Sequence, residues 1–153
     1  MKKTGSSFLL LILVAGAFVM FMLRRGGASA GGADEAPPAF AEHLSLAGAQ
    51  SRAGGGKPVL AFATANWCPP CKEMKRTTLR DARVTEWILQ NTVPAYVDVD
   101  KDPAAAAQLS VVGIPAMVLM RDGVAIAKNE GYVDAERFLA WGADALNRAT
   151  PAR

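Results

Sequence analysis

Residues 58–72 read PVLAFATANWCPPCK. Pro58 to Thr64 is a short, nearly continuous apolar run, the pattern of a strand buried on both faces. Asn66 and Trp67 follow, then Cys68-Pro69-Pro70-Cys71. Proline cannot sit deep inside a helix, but it suits the first turn, where its missing N–H has no intrahelical partner anyway. The stretch therefore predicts a strand that hands over to a helix starting at the cysteines and running through Lys72, Met74 and Lys75 towards Leu79. Cys68 and Cys71 are the only cysteines in 153 residues. A scaffold stapled by several long-range disulfides is excluded.

Outward from this centre, the hydrophobic spacing places elements on both sides. Phe40 to Gln50 has helical spacing through Phe40, Leu44 and Ala47, ended by Gly54-Gly55-Gly56. Asp81 is a cap for a helix that keeps Val84, Trp87 and Ile88 on one face. Val93 to Val99 is a second strand. Asp102-Pro103 is a cap followed by proline at the first helical position, and the helix continues to Leu109. Ala116 to Met120 is a strand, Asp122-Gly123 a hairpin turn, and Val124 to Ala127 the return strand. Asp134 caps a last helix carrying Phe138, Leu139 and Leu146. Strands that alternate with helices and end in a hairpin predict a three-layer α/β/α domain around a central mixed sheet.

The chain is 51% hydrophobic and 20% charged, which excludes an intrinsically disordered protein. Its formal charge of +3 is concentrated at one end. With Lys2, Lys3, Arg24 and Arg25 set aside, the 17 basic side chains fall to 13 against 14 acidic ones. A nucleic-acid partner has no electrostatic support. Phe8 to Leu23 carries no charge, and with Thr4 to Ser7 it gives about 20 residues, enough to cross a bilayer core as a helix. Residues 1–25 are thus expected to be a single-pass membrane anchor or signal segment. Ala28-Ser29-Ala30 has the A-x-A pattern of a cleavage site, which leaves a cleaved form open. Arg24-Arg25 directly after the apolar run resembles a stop-transfer flank and favours an uncleaved anchor. Residues 26–39 are small, Pro-containing and acidic, and are expected to be a flexible linker. The domain is expected over 40–153.

The domain resembles the thioredoxin family. Trp67-Cys68-Pro69-Pro70-Cys71-Lys72 is similar to that family's WCxPCK active site. Gly113-Ile114-Pro115 is similar to its G-I-P segment, where the proline is cis. Asp100-Lys101-Asp102-Pro103 is similar to its D-x-N-P element, and Gly131 fits the glycine between last strand and last helix. Thr77–Asp100 is also similar to the C-terminal domain of membrane-embedded thiol reductases. The resemblance implies a thioredoxin fold and dithiol–disulfide exchange without a cofactor. Cys68 is then the nucleophile, partly exposed at a helix N-terminus whose dipole favours the thiolate. Cys71 is the buried resolving cysteine. Trp67, Pro69, Pro70, Ile114 and Pro115 would line the substrate site.

Two departures from the family stand out. Thioredoxins bury an Asp six residues before the first cysteine, where this chain has Phe62. They often carry a Lys on the adjacent strand, where counting back from Pro103 gives Tyr96. With that helper missing, deprotonation of Cys71 is expected to rely on water or substrate, and Phe62→Asp is expected to speed disulfide reduction. Pro70 resembles the reducing thioredoxins and Pro69 the more oxidising relatives. Two prolines also remove two N–H donors from the helix start, so the Cys68 thiol is expected nearer a thioredoxin's ~7 than an extreme oxidase's ~3.5.

These residues have blander readings as well. The cysteines could form a structural pair, although they staple no distant elements. A zinc site usually wants four ligands, and the chain offers one histidine, His43, and no third cysteine. His43 is read as a solvated helix residue. Asp98, Asp100 and Asp102 suggest a calcium loop, but Pro103 and Leu109 stand where such a loop needs Gly and Glu. Met74, Met117 and Met120 are read as core filler, Trp87 and Trp141 as packing residues.

The expected function is a membrane-tethered thiol–disulfide oxidoreductase that reduces protein disulfides on the periplasmic side of the inner membrane. A reductant in an oxidising compartment must be recharged, which implies a transmembrane thiol reductase as electron donor. The alternatives are a disulfide oxidase or isomerase, and a non-catalytic binding module on the same fold.

Overall fold

The computed structural model describes residues 35–149. The apolar run at its centre forms β1, Val59–Thr64, buried at every position. The remaining strands are β2 (Val93–Asp98), β3 (Ala116–Arg121) and β4 (Val124–Glu130). The sheet order is β2-β1-β3-β4. β1 pairs parallel to β2 and antiparallel to β3, so the sheet is mixed, with Phe62 opposite Tyr96 on one side and Met117 on the other.

Helices cover both faces, and this is why β1 shows no polar alternation. Side chains alternate across a strand. Leu60 and Phe62 face the helices α2 (Pro69–Arg76), α3 (Ala82–Asn91) and α5 (Ala135–Ala149), with Met74, Ile88 and Phe138 in the same core. Val59, Ala61 and Ala63 face α1 (Leu46–Ala53) and α4 (Pro103–Gln108), with Leu46, Ala49 and Ala105 in a second core. The two sheet faces converge on the end of β1, where the chain turns into Cys68.

The outer edge of β2 is closed by local chemistry. Pro94 has no N–H, and the Tyr96 N–H donates to the Leu44 carbonyl at 2.9 Å. An edge with few free donors is a poor template for another strand. The same bond explains a correction at the N-terminal side. The helix expected over Phe40 to Gln50 starts only at Leu46, capped by Ser45, whose Oγ accepts from the Gly48 N–H at 3.1 Å. Before it, Pro38–Phe40 is one 3-10 turn, and His43 has φ 47°. The segment between them runs along β2, because pairing with Tyr96 outweighs weak helix propensity.

The expected helix from the cysteines to Leu79 is also broken. α2 stops at Arg76, and Thr77 adopts φ −108°, ψ −84°. A 3-10 turn (Thr78–Arg80) and the Asp81 cap then redirect the chain into α3. The Thr78 hydroxyl donates to the Val133 carbonyl at 2.6 Å and pins this corner to the loop before α5. Asp122 and Gly123 have φ 51° and 78°, the two positive values that a tight hairpin turn requires.

The expected anchor, residues 1–25, lies outside the described residues, as does the expected linker up to residue 34. The end of that linker belongs to the domain: Ala36 and Ala39 are buried in the core beside Phe40 and Leu79. Among the described residues no helix is long and apolar enough to cross a membrane.

Candidate active site

Cys68 sits at the N-cap of α2 with extended backbone, φ −87° and ψ 106°. Pro69 and Pro70 occupy the first two helical positions, as their fixed φ demands. Cys68 and Cys71 form a disulfide, S–S 2.08 Å and Cα–Cα 5.3 Å. The Cys71 N–H donates to Cys68 Sγ at 3.2 Å. The Lys72 N–H is spent on the Cys68 carbonyl at 3.2 Å. Residues 69 and 70 carry no N–H, so one backbone donor is left for the sulfur of Cys68.

Cys68 is only 2% exposed, where partial exposure was expected, and Cys71 is fully buried. Both pack with Ala65, against Val99 and Ile114. Access to the sulfurs is set by what surrounds them. Trp67 is 66% exposed, yet it is fixed, because its indole N–H donates to Asp100 Oδ2 at 2.7 Å. Pro69 and Pro70 are exposed at the helix start. The Ile114–Pro115 bond is cis, with Ile114 half-buried against the cysteines and Pro115 buried. The structure thus gathers all seven expected site residues at one end of β1 and α2.

Residues outside the expected site hold the Pro115 loop in place. The Pro115 carbonyl accepts from the Gly131 N–H at 2.7 Å, and Gly131 has φ 90°, open to glycine at no steric cost. Glu130 Oε1 accepts from the Val112 N–H at 3.1 Å. Lys128 Nζ bridges Glu130 at 3.1 Å and donates to the Ser110 carbonyl at 2.7 Å. The Val112 N–H, followed by the Lys128 ammonium, holds the Glu130 carboxyl below the usual carboxylate range. Glu130 and Lys128 stand on one face of a strand expected to end at Ala127. Lys128, Asn129 and Glu130 are consecutive polar residues, so no alternation marked the true end of the strand.

The aspartates of the apparent calcium loop have separate structural tasks. Asp100 anchors Trp67, Asp102 caps α4 by accepting from the Ala105 N–H at 2.9 Å, and Asp98 pairs with Lys101 at 3.3 Å. Among the described residues no three metal-ligating side chains cluster. Met74, Met117 and Met120 are buried, and Trp87 meets Phe138 edge-on at 5.6 Å, with the tilted ring of Trp141 at 5.9 Å. His43 lies in the loop before α1, exposed, with its ring 5.2 Å from that of Tyr96.

The sequence reading of a site without the family's acid–base helper left out a buried lysine. Phe62 is fully buried and stacks on Phe40 at 5.7 Å and on Tyr96 at 5.9 Å. On α2, next to this cluster, is Lys75, 1% exposed, with Nζ 3.5 Å from the Tyr96 hydroxyl. Lys75 shares a helix face with Cys71, four residues earlier. That spacing was legible in the sequence, but a lysine at such a position reads as solvated unless its burial is known.

Comparison with known proteins agrees with this geometry. Residues 48–146 match the family described as the Thioredoxin-like domain. The chain is similar to a thioredoxin of Mycolicibacterium smegmatis, 36% identical over 93 residues, covering 61% of this chain and 82% of that protein. It is also similar to a thioredoxin of Alicyclobacillus acidocaldarius, 31% identical over 103 residues, covering 67% of this chain and 95% of that protein. Among solved structures it resembles the C-terminal domain of Neisseria meningitidis DsbD in the oxidised form. That likeness has TM-score 0.55 and 27% identity, over 65% of this chain and 90% of that one.

Proposed function

The chain belongs to the thioredoxin family and is a thiol–disulfide oxidoreductase with Cys68 and Cys71 as its redox pair; on that premise we propose that it works as a membrane-tethered reductant of protein disulfides. In the reaction, the Cys68 thiolate attacks one sulfur of a client disulfide, and the client's other sulfur leaves as a thiolate. Cys71 then attacks Cys68 Sγ, closing the pair and releasing the reduced client. Trp67, Pro69, Pro70, Ile114 and Pro115 form the surface on which the client chain lies.

The single backbone donor to Cys68 Sγ, the Cys71 N–H at 3.2 Å, carries the direction. A dithiol is a strong oxidant when its reduced form is strongly stabilised. Two prolines at the helix start withhold the donors that would do this. The likeness to the DsbD C-terminal domain supports the same direction. The tether reading is supported by the uncharged run Phe8–Leu23 between Lys2-Lys3 and Arg24-Arg25. Basic residues flank both ends, and the α-amino group with Lys2 and Lys3 tips the N-terminus inward. The thiol domain would then face the periplasm, recharged by a transmembrane thiol reductase.

The test is the reduction potential of the full chain, in detergent, against a glutathione buffer. A value of about −270 mV is the expected outcome, and one of about −120 mV would assign it to disulfide formation instead. An alkaline wash of membranes tests the tether: release of the protein would show a peripheral or cleaved form.

A further inference from the structure

Among the described residues, the face of the sheet beneath α2 is mainly aromatic and apolar, with a few buried polar groups. Lys75 is 1% exposed, its Nζ 3.5 Å from the Tyr96 hydroxyl. Thr64, two residues after Phe62 on the same face of β1, has a buried hydroxyl with no hydrogen-bond partner among the described residues. Lys75 stands one helical turn after Cys71 on α2, and that face is otherwise lined by Phe40, Phe62, Met74 and Phe138. A buried amine is costly to place in such surroundings.

Side chains on a helix lean towards its N-terminus, so a residue lies over the one four positions earlier. Lys75 therefore leans back over the turn that carries Cys71. We propose that Lys75 is a positioning residue for disulfide exchange, a buried cation held by Tyr96 that promotes loss of the proton from Cys71. Thiols beside a lysine ionise more readily, and the attraction is stronger away from water. Once Cys68 is joined to a client, the Cys71 proton leaves to water and the Lys75 ammonium faces the new thiolate. The Cys71 sulfur then bonds to Cys68 Sγ, the bond from Cys68 to the client sulfur breaks, and its electron pair goes to the client thiolate. The cysteine pair is oxidised by two electrons and the client reduced by two.

Tyr96 and Asn66 line a cavity of about 330 Å³, together with His43, Asp98 and Lys101. Among the described residues, Arg80 and Glu35 pair with each other at 3.7 Å, and Lys101 pairs with Asp98 at 3.3 Å. All of them stay in place when Lys75 or Tyr96 is changed, so a difference between variants reports these two residues. The inference rests on the exchange chemistry and not on its direction, so a potential that refutes the reductant reading leaves it standing.

The test uses the full chain in detergent with a coloured aromatic thiol, 5-thio-2-nitrobenzoate, joined to Cys68 as a mixed disulfide. Release of the colour reports attack by Cys71. At pH 7, Lys75→Met is expected to slow release about tenfold, and Tyr96→Phe several-fold, in keeping with the effect of a neighbouring cation on a thiol. In a Cys68→Ser background, the thiolate absorbance of Cys71 is expected to titrate about one pH unit higher when Lys75→Met is added. Unchanged release in both variants would overturn the proposal. Slower release with an unmoved titration midpoint would also overturn it, because that pattern marks a loss of packing. If Lys75→Met does not fold, Tyr96→Phe decides alone, and wild-type release in that variant sinks the proposal.

Discussion

The two faces of the sheet are built from different materials. The face under α2, α3 and α5 is filled by large side chains, Phe40, Phe62, Met74, Leu79 and Phe138, with Lys75 buried among them. The face under α1 and α4 is filled by small ones, Ala49, Ala61, Ala63, Ala95 and Ala105, with valines between. The aromatic face carries the helix that holds the cysteines, so its packing is coupled to chemistry. The small-residue face lets α1 and α4 approach closely and contributes stability. Damage to the first should therefore appear in both thiol exchange and unfolding, and damage to the second in unfolding alone.

The largest effect should come from the chemistry itself. Cys71→Ser leaves Cys68 without a resolving thiol, so turnover with a protein disulfide should fall by at least ~100-fold while a mixed disulfide accumulates. Non-reducing gel electrophoresis with a trapped client would show it; undiminished turnover would remove Cys71 from the mechanism. Next is Phe62 on the aromatic face. Its ring stacks on Phe40 and Tyr96, so Phe62→Ala should cost about 3–5 kcal/mol in denaturant unfolding, and Phe62→Asp at least as much. The faster reduction expected of Phe62→Asp from sequence would then be masked by unfolding. A fully folded, faster Phe62→Asp enzyme would contradict the packing.

The small face should respond with a smaller, silent change. Ala61→Leu adds volume where no space exists and should cost about 1–3 kcal/mol, with colour release from the mixed disulfide unaltered. Altered release would break the division between the faces. Gly142→Ala tests close approach on the aromatic side. An added Cβ would stand 2.6 Å from two ring atoms of Trp87. The ring must shift, so the usual gain of about 1 kcal/mol for replacing helical Gly by Ala should vanish or reverse. A rise in Tm would show that Trp87 yields freely.

The smallest effect concerns the exposed brace of the Pro115 loop. The Glu130 carboxyl is held below its usual range by the Val112 N–H and Lys128. A carboxyl depressed on folding contributes above its ordinary value and loses that contribution as pH falls through the lowered one. Hydrogen exchange at Val112 should therefore be slow at neutral pH and quicken in acid, after correction for intrinsic rates. Glu130→Gln should remove most of this pH dependence, and exchange that ignores both changes would show the brace to be idle.

Much of the fold was legible in advance because local signals agreed with tertiary demands. The uninterrupted run at Val59–Thr64, the caps at Asp81 and Asp102 and the turn at Asp122-Gly123 all have local causes. The elements that were misplaced have distant causes. The segment before α1 gave up helix for the Tyr96 N–H, a partner 52 positions away from Leu44. β4 runs on to Glu130 because that side chain and Lys128 grip a loop from another part of the chain. The cysteines, Trp67 and the Ile114-Pro115 pair were legible as a site because the chemistry confines them to few positions.

The sequence by itself determined the strand-to-helix handover, the pairing of Cys68 with Cys71 within one turn, and the scarcity of donors to Cys68, since proline lacks an N–H wherever it stands. Tertiary structure alone decided that Lys75 is buried, that Tyr96 meets it, and that Asp100 holds Trp67 in place. The physical reason is that charge and hydrogen-bonding capacity belong to the residue, whereas burial and partnership belong to the elements packed around it.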